Sequence, residues 1–164
     1  MTAWKKLSKI SLLGLLGLVV AIDPARRLHR ANNARRWSDV RAILESVREY
    51  QADHDGDTPS SAVALDSTVT NVQMIGEGGV ACASVLCSGV VIASTNCFVS
   101  GLNDDLREGG YLSTMPYDPK TGSDAITRYY INLDANGFLT VGACDEEGED
   151  VGGGGTPPAI VISR

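Results

Sequence analysis

From Leu7 to Asp53 the sequence can run as one helix, and that single feature most limits what the chain can become. A helix of that span would be about 70 Å long. A chain of 164 residues has too little mass to cover such a rod. Part of it must face lipid or other subunits. Pro24 is the one interruption, and a proline inside a helix removes a backbone hydrogen bond and bends or loosens the rod. The Gly-, Asp- and Pro-bearing segment His54–Ser61 ends it.

The first part of the rod is apolar. Ile10–Ile22 carries no charge. Its thirteen residues fall short of the ~20 that span a bilayer core. Extending back to Leu7 takes in Lys9, which can snorkel, with Trp4, Lys5 and Lys6 as interfacial anchors. A basic start and a short apolar core are also the pattern of a secretory signal. No small-x-small cleavage site follows; Asp23 and Pro24 come next, so a retained anchor is expected. Residues 1–24 therefore read as a membrane anchor or helix start, with inner-membrane lipid as a partner. Gly14 and Gly17 leave gaps where neighbouring backbones can approach, which makes Leu12, Gly14, Gly17 and Leu18 the expected assembly residues.

Residues 25–56 read as an amphipathic helix. Leu28, Ala31, Ala34, Trp37, Val40, Ile43, Leu44 and Val47 recur every three or four residues as an apolar stripe. Arg26, Arg27, Arg30, Arg35, Arg36, Arg41 and Arg48 lie mostly off it. Residues 57–164 form the expected globular head. "TRYYINL" alternates as a strand, "DANG" turns, "FLTVGA" returns, and "AIVIS" supplies a last strand. "VLCSGVVIAST" reads as a buried strand or short helix within a loop-rich cap, and "CDEEGEDVGGGGTPP" as a flexible acidic loop. The fold class is α+β: a long N-terminal helix packed by its C-terminal half on a small antiparallel sheet. Val40, Leu44 and Val47 are the expected helix–sheet contacts, against Tyr129–Leu133.

Charge divides along the same line. Residues 1–50 carry ten Lys/Arg against four Asp/Glu, a net +6, and residues 51–164 carry four against sixteen, a net −12. An acidic body is a poor partner for nucleic acid. Cys82, Cys87, Cys97 and Cys144 all lie in the head, five, ten and forty-seven residues apart, without the spacing of a zinc site. An even count in an exported domain favours disulfides. Cys82 can pair with Cys87 or Cys97, with Cys144 tying in the last strands; three complete pairings are open.

Catalytic signatures do not emerge. His29 and His54 have no nucleophile near them in sequence, and "GEGG" and "VGGGG" lack the Lys-Ser/Thr of a phosphate loop. Asp104/Asp105 and Asp145/Glu146/Glu147 read as solvated acids. No cofactor is expected. A hard cation such as Ca²⁺ is the one candidate, with oxygen ligands from Asp118 and Asp124 in "YDPKTGSDA", or from Asp134.

The order of these segments resembles type IV pilin-like proteins, in particular minor pilins and type II secretion pseudopilins of small-genome bacteria. "AIDPARRLHRANNARRWSDVRAILESVREYQADHDGDTPS" resembles their helix, "YLSTMPYDPKTG" their Pro- and Gly-bearing loop, and "YYINLDANGFLTVGACDEEGE" their closing hairpin. The resemblance covers residues 10–60 and about 97–164. It implies a non-enzymatic filament subunit whose partners are other pilin-like subunits, membrane-anchored with its body outside the cytoplasm. The alternative is a membrane-tethered adhesive or ligand-binding domain, and after that a small secreted enzyme. At the start, the chain departs from the family: no glycine precedes residue 10, and no acid lies between Met1 and Ala21. The leader-peptidase site and the helix glutamate of that family are therefore not expected to operate, which favours an accessory subunit over a major one.

Overall fold

A computed structural model describes residues 23–61, 72–134 and 136–164. The anchor reading, with Leu12, Gly14, Gly17 and Leu18, lies outside the described residues. Among the described residues no helix is long and apolar enough to cross a membrane.

The long helix, α1, spans Pro24–Asp53. Asp23 is its N-cap: its backbone is left-handed, at φ 35°, and its carboxylate accepts the Arg26 amide at 3.3 Å. Pro24 then occupies the first helical position, where its missing N–H costs nothing. Among the described residues Pro24 thus opens a helix rather than interrupting one. At the other end the His54 amide bonds to the Tyr50 and Gln51 carbonyls, and Gly56, at φ 94°, supplies the left-handed exit.

The sheet comes from five short strands: β1 (Gln73–Ile75), β2 (Phe98–Val99), β3 (Tyr129–Leu133), β4 (Leu139–Ala143) and β5 (Val161–Ser163). They lie in the order β2-β1-β3-β4-β5, antiparallel throughout except for the parallel β1–β2 pair. The β3–β4 hairpin runs in register from Tyr129↔Ala143 to Leu133↔Leu139. Asp134 fixes its turn by accepting the Asn136 and Phe138 amides, each at 2.8 Å. A short helix, α2 (Leu102–Glu108), follows β2. The "VLCSGVVIAST" stretch forms neither strand nor helix. It makes isolated bridges, Cys87↔Val90 and Val72↔Ile92, because its glycine and disulfides interrupt any ladder.

Side-chain alternation along β3 gives the sheet two covered faces. Tyr129 and Ile131 turn toward α1 and pack with Val40, Ile43, Leu44, Val47, Leu139, Val141 and Ile160. Tyr130 turns the other way and packs with Met74, Val85, Cys97 and Cys144 under the disulfide loop. Burial of Val40 is complete. Val40→Asp should therefore cost about 3 kcal/mol or more, because it places an unpaired carboxylate in that core. An unchanged melting temperature would show that this face is open to solvent.

The apolar stripe does not hold along the whole helix. Each step of three residues falls about 60° short of a full turn, so a row built mainly of such steps winds around the cylinder. Val40, Ile43, Leu44 and Val47 are buried, whereas Leu28, Ala31, Ala34 and Trp37 are exposed. The buried face instead continues back from Val40 through Arg36 and Asn33. The N-terminal half of α1 thus packs by polar side chains.

Candidate functional site

Those polar side chains meet the acidic loop that follows β4. Rather than waving free, residues 145–155 run back along the first three turns of α1. The Asp23 carboxylate accepts the Gly152 amide at 3.0 Å. Arg26 Nε donates to the Glu149 carbonyl at 3.0 Å, and the His29 ring meets the Gly148 carbonyl at 2.9 Å. Asn32 donates to the Glu147 carboxylate, and Asn33 bonds both the carbonyl and the amide of Glu147. The predicted flexible loop is therefore fixed, because each turn of the helix offers it a donor.

Arg36 is the centre of this arrangement. Its side chain is fully buried, as is that of Asp118. Nε and Nη2 fork onto the two Asp118 oxygens at 2.5 and 3.2 Å, while Nη1 donates to Asn33 Oδ1 and to Glu147 Oε2 at 2.8 and 3.1 Å. Four of the five guanidinium N–H groups are thereby used. Asp118 also caps its own turn, accepting the Lys120 and Thr121 amides at 2.9 Å each. The local sequence explains the turn. Pro119 fixes φ after Asp118. A Cβ on Gly122 would lie 2.4 Å from the Asp118 nitrogen and 2.7 Å from the Thr127 carbonyl, so only glycine fits. Two neighbours extend the network: Lys120 Nζ reaches Glu147 at 2.8 Å, and Arg128 grips Asp145 through Nε and Nη2.

Burial pushes the Asp118 carboxyl up, but the Arg36 fork and the turn amides outweigh it and hold it below the usual value. Burial likewise raises Glu147, and Lys120, Asn32 and Arg36 overcome it, bringing its pKa down to about 2. Both folded-state values are depressed. Their contribution to stability is thus complete above the unfolded value, near 4.5 for Glu147, and is lost as pH falls toward about 2. Unfolding free energy should fall over that window, and Glu147→Gln should flatten the slope. A slope that Glu147→Gln leaves unchanged would place the acid sensitivity elsewhere.

The expected cation ligands are not brought together. Asp118 is committed to five donors from Arg36, Lys120 and Thr121, and Asp134 to its hairpin turn. Asp124 lines a separate cleft of about 200 Å³ with Ile75, Val99, Asn103, Arg107 and Met115. Among the described residues, no group of three or more His, Cys, Asp or Glu is placed to hold a metal ion. Neither histidine lines the cleft. The acids read as solvated divide: Asp104 stays exposed, while Glu147 is buried and Asp145 is paired. Of the three open cysteine pairings, the structure has Cys82–Cys97 and Cys87–Cys144. The second joins the loop ahead of β2 to the residue where the acidic loop leaves β4.

Comparison with protein-family models, characterised proteins and solved structures finds no match. What the site can do therefore follows from its own geometry. It holds a helix to a head by buried charge. The sequence reads Arg36 as lying off the packed stripe and Glu147 as a solvated acid, whereas both are buried here. Arg36 was visible in one respect, since it lies four residues before Val40, on the face that Val40 buries.

Proposed function

We propose that the chain is a structural subunit of a type IV pilus or type II secretion-like filament, a minor pilin or pseudopilin. It acts by helix packing and surface display, without catalysis. One observation carries the reading: α1 is locked to its head along one face and exposed along the other, directly behind the uncharged run Ile10–Ile22. A helix so placed is available to neighbours. Further support comes from the Asp118-Pro119 turn, the most specific part of the pilin resemblance, which here grips α1 through Arg36. Two disulfides suit a body outside the cytoplasm.

The test is cysteine crosslinking at Gly14→Cys and Leu18→Cys in membranes, with partner pilins present and absent. Crosslinks to those partners support co-assembly. Monomers under both conditions sink the filament reading and leave a tethered domain. That second reading has its own observation: Leu86 and Val91 stand exposed beside Cys87, above a shallow apolar groove formed with Val85 and Val90.

A further inference from the structure

The outward face of α1 and the far end of the same helix carry opposite charge. Between Arg27 and Arg41, four arginines are exposed: Arg27, Arg30, Arg35 and Arg41. The only carboxylate in that stretch, Asp39, is half-buried and accepts the Tyr129 hydroxyl at 2.8 Å. Arg30 and Arg35 lean on Glu149 and Asp39 at 3.5 and 3.6 Å, both arginines staying more than half exposed, and Arg27 and Arg41 have no ion pair among the described residues. Leu28 and Trp37 flank the arginines, 60% and 37% exposed. At the C-terminal end the sign reverses. Glu49, Asp53, Asp55 and Asp57 are exposed there, as are Asp104 and Glu108 on α2. Tyr111 joins the two groups: its hydroxyl donates to Asp53 at 3.0 Å and its amide to the Leu106 carbonyl at 2.9 Å. Tyr50 and His54 stack in the middle of this acidic pole, and Tyr111 meets both rings edge-on.

We infer that these two surfaces meet between neighbouring copies, the basic face of one α1 receiving the acidic pole of the next. Leu28 and Trp37 supply the apolar contact and the Tyr50–His54–Tyr111 rings its counterpart. Asp53, the last residue of α1, lies 19 residues beyond Ala34, about 29 Å along the helix, and Asp57 follows in the turn after it, so adjacent copies are displaced by roughly 30 Å. The two patches differ and lie apart on one molecule, so the contact is heterologous, and between copies aligned in parallel it repeats as an open chain. This deepens the filament proposal and rests on it for the parallel alignment of copies. A second copy fits better than an anionic membrane surface. Residues 51–164 carry four positive against sixteen negative groups, −12, and would be repelled by acidic headgroups, whereas a copy brings the needed carboxylates itself.

All four native cysteines are in disulfides, so introduced thiols are the only free ones. The full chain carrying Ala34→Cys and Asp57→Cys is crosslinked in detergent micelles and in membranes, at low and high salt. The two positions are too far apart to bridge within one copy. The expected result is a ladder of oligomers from the double variant, lost at high salt and absent from either single variant. Adding Arg35→Glu and Arg41→Glu should abolish the ladder. Mixing such a chain carrying only Ala34→Cys with one carrying Asp57→Cys, Asp53→Lys and Glu49→Lys should restore a crosslinked dimer. Dimers from Ala34→Cys alone would mean back-to-back helices and overturn the inference. So would a ladder insensitive to charge reversal, or charge reversal that only lowers binding to phosphatidylglycerol vesicles. No ladder, with Gly14 and Leu18 crosslinks intact, removes this contact and keeps the filament reading; the opposite pattern removes the filament reading alone.

Discussion

Replacing Arg36 by alanine should lower the unfolding free energy by about 3–5 kcal/mol, because it strips a buried charge of its partner. Asp118 is only 1% exposed and cannot recover water where it sits. Glu147 would keep Lys120 and Asn32, so the larger penalty falls on Asp118. Arg36→Lys should recover little, since an ammonium cannot reproduce a fork onto two Asp118 oxygens while also donating to Asn33 and Glu147. Arg36→Met combined with Asp118→Leu should cost much less than the sum of the two single changes, because it removes both charges from the interior. Urea unfolding of these five variants beside the unsubstituted protein measures this directly. A loss below about 1 kcal/mol for Arg36→Ala would mean that water replaces the guanidinium and that the pair is not buried in solution.

The same residues show what the sequence could reveal. The helix was legible from its Asp-Pro start, its periodicity and its Gly-Asp-Pro end, and the β3–β4 hairpin from its alternation and its "DANG" turn. Long-range pairing was not legible. Arg36 and Asp118 are separated by 82 positions, and Asn33 and Glu147 by 114. Nothing local in "CDEEGEDVGGGG" says that Glu147 and Glu149 will be taken up by a helix more than a hundred residues away. The opposite net charges of the two halves carried that information only as totals. The apolar stripe misled for a geometric reason: Leu28, Ala31, Ala34 and Trp37 recur at a helical interval but wind off the face that Val40 and Val47 share. Strands β1 and β2, three and two residues long, are too short to show alternation and owe their place to partners in the sheet.

Removal of the Cys87–Cys144 bridge should cost about 4 kcal/mol, and removal of Cys82–Cys97 about 3, if loop closure in the unfolded chain sets the cost. The first bridge closes a separation of 57 residues and the second one of 15, and the entropy released grows with the logarithm of that length. Cys144 adds a structural reason. It is fully buried, its amide donates to the Arg128 carbonyl, its carbonyl accepts the Ser88 amide, and the acidic loop that clasps α1 begins one residue later. Serine pairs at 87 and 144 should therefore speed amide exchange in residues 145–155 as well as lower global stability, whereas serine pairs at 82 and 97 should leave that loop protected. Guanidinium unfolding gives the order of the two losses, and hydrogen exchange gives their location. A greater loss on removing Cys82–Cys97 would show that packing around each bridge outweighs chain entropy. Unchanged exchange in residues 145–155 would show that Arg36, Asn33 and His29 hold the loop to the helix without the covalent tie at Cys144.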